Sequence, residues 1–228
     1  MLKYLWVKKM KINANQVELN YEVYGQGEPL ILLHGNQEDM HIFDELIQSI
    51  KDEFTIYTID SRNHGKSSKS IHFSYDDMTQ DVYQFIRTLK INKPHILGFS
   101  DGGIIGLKLA IFAPNLMNKL IVCGSNYKPK GLTKQVRKEF KIEYKQYQSP
   151  FIKLMLKEPK IKKKDLKNIL NPVLIVVGSN DCIKEKHTLK MHHFLKHSNL
   201  KVIEDHTHDS YIVHQDLLKP DIINFLKK

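Results

Sequence analysis

Cysteine is scarce in this chain: there are two among 228 residues, Cys123 and Cys182. That count excludes a disulfide framework and fits a reducing compartment, so a cytoplasmic location is expected. Long apolar runs are missing too. None approaches the ~18 residues that a membrane-spanning helix needs, so no membrane partner is expected. The apolar patch Leu5-Trp6-Val7, set between lysines, lacks the longer core and small-residue cleavage site of a secretory signal. No internal repeat or Gly/Ser-rich linker divides the chain, and one domain spanning 1–228 is expected.

Positive charge is abundant but local. The formal net charge is +10, from 35 Lys/Arg and 25 Asp/Glu. Residues 128–170 hold 14 of the basic and 4 of the acidic residues, which leaves 21 of each sign elsewhere. The basic segment lacks the interleaved stacking aromatics or binding motif of a nucleic-acid protein, so no nucleic-acid partner is expected. Its charges read as a solvated helix face, with an anionic substrate as the alternative.

Strand-length apolar patterns fall at Val17–Tyr24, Pro29–Leu33, Phe54–Ile59, Pro94–Phe99, Lys119–Cys123, Pro172–Val177 and Leu200–Ile203. Helical spacing marks Met40–Ile50, Asp77–Leu89, Ile104–Ala113, Lys186–Leu195 and Leu217–Leu226. Alternation of the two kinds implies an α/β fold. Its central sheet would be mostly parallel, with helices on both faces and the early strands forming an antiparallel edge. Residues 128–170 are longer than one crossover requires, and Pro150 and Pro159 interrupt them. They read as a helical cap insertion over the strand ends. Its apolar stripe, Phe140, Tyr144, Tyr147 and Phe151, is expected to bound a substrate pocket.

The chemistry centres on Gly98-Phe99-Ser100-Asp101-Gly102, a G-x-S-x-G pattern between an apolar strand and an apolar helix. That context suits a nucleophile elbow with Ser100 at its tip. A serine hydroxyl needs a base, and the base needs an orienting acid. Asp181 follows the strand ending at Val177 and is the expected acid. His206, His208 and His214 follow the last strand, and His208 is the expected base. Charge developing on a carbonyl oxygen needs two N–H donors. The amides of Asp101, next after the serine, and of Asn36, in the loop Leu32-Leu33-His34-Gly35-Asn36, are the candidates. His34 reads as a loop-fixing residue. No metal and no organic cofactor is expected.

These motifs, with Asp60-Ser61-Arg62-Asn63-His64-Gly65-Lys66-Ser67, resemble those of the α/β-hydrolase family. The resemblance spans nearly the whole chain and implies the α/β-hydrolase fold. It also implies a serine hydrolase acting on a small-molecule ester substrate through an acyl-enzyme. Many relatives read D-x-R-G-x-G-x-S, and Asn63 stands where they have Gly. Asn is the best substitute at positive φ. The elbow G-F-S-D-G-G is similar to that of the biphenyl hydrolase-like, valacyclovirase-type branch. The family also holds carbon–carbon hydrolases, perhydrolases and ligand-binding proteins that do not turn over, and fold does not choose among them. Asp101 has two readings: a stabiliser of the following helix or partner of Arg62, or a pocket carboxylate that binds a cationic group such as a substrate amine.

Overall fold

The computed structural model describes residues 8–227. The apolar patch Leu5-Trp6-Val7 lies outside them. Among the described residues, the strands are β1 (Lys8–Ala14), β2 (Val17–Gly25), β3 (Glu28–Leu33), β4 (Phe54–Ile59), β5 (His95–Phe99), β6 (Leu120–Cys123), β7 (Val173–Gly178) and β8 (Ser198–Ile203). They form one sheet in the order β1-β2-β4-β3-β5-β6-β7-β8. β2 is antiparallel to both β1 and β4, and every other pairing is parallel.

β1 lies outside the strand patterns legible in the sequence. Its turn explains its pairing: Asn15 and Gln16 both take positive φ, at 49° and 64°. Two successive left-handed residues make the tight turn that matches the twist of a hairpin, and Ala14 then faces Val17. Met10 and Ile12 alternate toward the core from this strand.

Helices cover both faces. α1 (Asp44–Ile50), preceded by a 3-10 turn at Met40–Phe43, packs with α8 (Lys219–Leu226) on one face. α2 (Tyr75–Thr88), α3 (Asp101–Phe112) and α7 (Glu185–Phe194) pack on the other. The period of two is visible in single strands: Leu120 and Val122 of β6 join one core, Ile121 and Cys123 the other. Each such buried aliphatic side chain contributes about 1.5–3 kcal/mol. α3 is apolar nearly all round because it lies between the sheet and α2, and nine of its residues are buried.

Between β6 and β7 come a 3-10 turn (Pro129–Gly131), α4 (Lys134–Tyr147), α5 (Pro150–Lys157) and α6 (Lys163–Lys167). Pro150 begins a helix here rather than only interrupting one. Gln148 turns left-handed at φ 51°, Ser149 caps the next helix by accepting from the Ile152 N–H, and Pro150 takes its first position. No helix of the described residues is long and apolar enough to cross a membrane.

Candidate active site

Ser100 stands at the turn from β5 into α3 with φ 51° and ψ −111°. Only a close approach of strand and helix allows this turn. A side chain at Gly98 would meet the Gly102 backbone at 2.2 Å, and one at Gly102 would meet the Leu33 carbonyl oxygen at 2.0 Å. Both positions therefore require glycine. The turn is held by Ser100 N–H, which donates to the Cys123 carbonyl at 2.8 Å, and by Ser125 Oγ, which donates to the Ser100 carbonyl at 2.7 Å.

The loop after β8 brings His208 over the serine. Its Nε2 lies 3.1 Å from Ser100 Oγ, and its Nδ1 lies 2.8 Å from Asp181 Oδ1. Asp181, in the turn after β7, also accepts from the Ile183 N–H at 2.8 Å, and its side chain is 1% exposed. The fixed carboxylate makes Nδ1 the protonated nitrogen and leaves Nε2 free to accept from the serine. Burial disfavours the imidazolium, but the Asp181 carboxylate and the Cys182 sulfur beside it outweigh burial and raise the His208 pKa. The other two histidines lie elsewhere: His206 contacts Ser210 Oγ, and His214 faces Glu45.

His34 and Gly35 set the opposite wall. His34 Nδ1 donates to the Gly35 carbonyl at 2.7 Å, and its Nε2 accepts from the Ser61 N–H at 3.0 Å. Burial, followed by the neighbouring His64, lowers its pKa to about 4, so the ring is a neutral strut. Asp60 braces the same region by accepting from the amides of Met40 and Lys66 and from Asn20 Nδ2. Asn63 takes φ 68°. It uses its side chain to hold Ser70 on both sides, accepting from its N–H and donating to its carbonyl.

Asp101 is buried, and neither oxygen turns to Arg62. Oδ1 accepts from Tyr75 OH at 2.6 Å, and Oδ2 accepts from Asn36 Nδ2 at 2.8 Å. The expected Arg62 partnership is thus corrected: Arg62 grips Asp81 with Nε at 2.6 Å and Nη2 at 2.5 Å. Chain direction explains the difference, because α2 carries Asp81 to Arg62 and delivers Tyr75 to Asp101. As the first residue of α3, Asp101 has an amide with no acceptor in a preceding helical turn.

A cavity of about 240 Å³ opens at Ser100. Phe140 lines it together with Leu132, Ile152 and Met155 from the segment between β6 and β7. The remaining members of the expected stripe lie elsewhere. Tyr144 is not among the cavity-lining residues, Tyr147 is 67% exposed, and the Phe151 ring packs on His64 and Phe73. The cavity wall carries Glu38, Asp101, Glu143, Glu158 and Asp209, and among the described residues its lining includes no lysine or arginine. Glu38 was not singled out in the sequence, although it stands two residues past Asn36. Its Oε2 accepts from the Gly35 N–H at 2.8 Å, and burial, opposed by that amide and by His208, raises its pKa to about 7. Tyr75 was not singled out either, and Cys182 was weighed only as one of two scarce cysteines; its adjacency to Asp181 is the signal that could have placed it at the site.

Fold and site together define an α/β protein with a serine hydroxyl, an imidazole and a carboxylate in hydrogen-bonded line at the strand ends. The alpha/beta hydrolase fold model matches residues 28–142, half of the chain, and the chain belongs to that family. Over 114 residues it is 36% identical to the sn-1-specific diacylglycerol lipase ABHD11 of Danio rerio, covering 48% of this chain and 36% of the lipase. The chain thus spans little more than a third of that relative's length. A thermophilic esterase from Thermogutta terrifontis superposes with TM-score 0.81 at 18% identity, covering 96% of this chain and 98% of the esterase. The meta-cleavage product hydrolase of Pseudomonas fluorescens gives TM-score 0.79 at 18% identity, covering 96% and 97%. These two likenesses concern the fold.

Proposed function

We propose that the chain is a serine hydrolase for small carboxylic esters. The observation that carries this reading is His208, whose two ring nitrogens meet Ser100 Oγ and Asp181 Oδ1 at the same time. As an ester carbonyl enters the cavity, Ser100 Oγ attacks its carbon and His208 Nε2 takes the hydroxyl proton. Asp181 holds the ring and stabilises the imidazolium. The amides of Asn36 and Asp101 receive the oxyanion. The imidazolium then gives its proton to the departing alkoxide, leaving an acyl-serine and a free alcohol. Water, deprotonated by the same nitrogen, releases the acid and restores Ser100. We take residues 128–170 as the cap that closes this cavity within one domain; the cytoplasm remains the proposed location.

The modest cavity favours short acyl groups, and its carboxylates favour neutral or cationic esters over anionic ones. A chain-length series of activated esters, run with wild type and Ser100→Ala, tests the reading. Hydrolysis should peak at short acyl chains and vanish in the variant. Full activity in Ser100→Ala overturns the mechanism. Product analysis distinguishes ester from carbon–carbon or perhydrolase chemistry. Failure of a fluorophosphonate to label wild type would point instead to a protein that binds without turnover.

A further inference from the structure

The mechanism above leaves one thiol unused at its centre. Cys182 directly follows Asp181, is partly exposed, and lines the cavity at Ser100. Its sulfur, a ring nitrogen of His208 and a carboxylate oxygen of Asp181 all lie within 4.8 Å of one another. Sulfur, imidazole nitrogen and carboxylate oxygen form the donor set of zinc sites, in which each ligand sits about 2.0–2.3 Å from the metal. A second observation points the same way. Asp181 Oδ2 is buried with no hydrogen-bond partner, on a side chain that is 1% exposed. A buried carboxylate oxygen without a donor has lost its hydration without replacement, and a cation restores it.

We propose that Asp181, Cys182 and His208 form an inhibitory site for Zn²⁺. Cys182 loses its proton to solvent as its sulfur binds the metal. Asp181 contributes a carboxylate oxygen, and His208 binds through Nδ1, the nitrogen that already faces the carboxylate. The Nδ1 proton leaves to solvent as the metal binds and Nε2 takes up one from solvent, so the metal-bound ring stays neutral and carries its single proton on Nε2. That nitrogen then presents an N–H to Ser100 Oγ in place of a lone pair, and the serine has no base. A water from the cavity completes the tetrahedron. The inhibitory effect rests on the proposed role of His208, whereas the coordination itself does not.

The two claims are tested separately. Cd²⁺ titrated into Ser100→Ala should produce a thiolate-to-metal charge-transfer absorbance that saturates at one ion per chain. Cys182→Ser and Cys182→Ala should lack it, with circular dichroism checking their folding. Cys123, the other thiol, is fully buried and does not compete. In wild type, Zn²⁺ should inhibit hydrolysis of a neutral ester, and EDTA should restore it. Relative to each variant's own metal-free rate, the inhibition constant should weaken more than about tenfold without the thiol. No absorbance in Ser100→Ala overturns the site. Equal inhibition of Cys182→Ser places the metal on other histidines and also overturns it. A normal absorbance with no inhibition of an active wild type overturns the inhibitory role. A normal absorbance in a wild type that hydrolyses no ester sinks the functional reading and leaves the metal site standing.

Discussion

Asn36 Nδ2 donates to Asp101 Oδ2 at 2.8 Å. The residue that follows the serine thereby holds the loop that carries the second candidate oxyanion amide. Tyr75 OH, donating to the other oxygen at 2.6 Å, anchors the pair to α2. Removing the carboxylate frees the Asn36 loop from the elbow. Asp101→Ala should lower kcat about 10- to 100-fold, less than the loss of an oxyanion donor outright, with little change in KM. Because both oxygens are engaged, the loss should be equal for amino-acyl and neutral esters. A KM rise confined to amino-acyl esters would instead show the carboxylate binding the substrate amine.

Arg62 and Asp81 form a buried pair, 2% and 3% exposed, that ties the loop after β4 to α2. Breaking one partner leaves the other as an uncompensated buried charge. Arg62→Met should destabilise the fold by about 3–5 kcal/mol, read from urea unfolding. The double variant Arg62→Met/Asp81→Leu should recover much of that loss. A double variant no more stable than the single one would contradict the argument.

Glu38 supplies a pH signature in stability. Its pKa is raised from 4.5 to about 7 by burial. The unfolded chain therefore ionises it first, and the folded state holds the proton longer. The stability tied to this proton is fully present below about pH 4.5 and is lost as pH rises through about 7. The urea midpoint of wild type should fall across that window relative to Glu38→Gln. Parallel midpoints for the two proteins would rule this out.

His208 supplies the signature in rate. In the proposed mechanism only the neutral ring accepts the serine proton, so activity should be lost as pH falls through its pKa. Asp181 and Cys182 raise that value, which puts the rising limb of kcat/KM above pH 6.5. Asp181→Asn should move the limb to lower pH and reduce kcat on the order of 10⁴-fold. A limb that stays in place would remove the carboxylate from its assigned role.

The carboxylates around the cavity should act on substrate charge. An ester bearing a carboxylate should show a lower kcat/KM than its neutral isostere at low salt. The gap should narrow as salt screens the field. A preference for the anionic ester would mean that the basic segment between β6 and β7 governs entry.

By itself the sequence determined what is local. Alternating strand and helix patterns imply the parallel sheet, because each strand's apolar faces need a helix on either side. Gly98 and Gly102 mark a turn that only small residues permit. Ser100, Asp181 and His208 each follow a strand, in the chain order that the family resemblance implies. β1 and the phase of α5 escaped although the turns that set them, Asn15-Gln16 and Gln148, are local; the partners of buried side chains depend on contacts distant in sequence. The stripe Phe140, Tyr144, Tyr147, Phe151 carried one helical face across the interruption at Pro150. The left-handed Gln148 resets the helical phase, so Phe151 turns to His64 and Phe73 while Ile152 and Met155 face the cavity. Tertiary structure alone decided that Asp101 would meet Tyr75 and Asn36 rather than Arg62. Which donor reaches a buried carboxylate depends on how α2 lies across the sheet, and no local pattern encodes that angle.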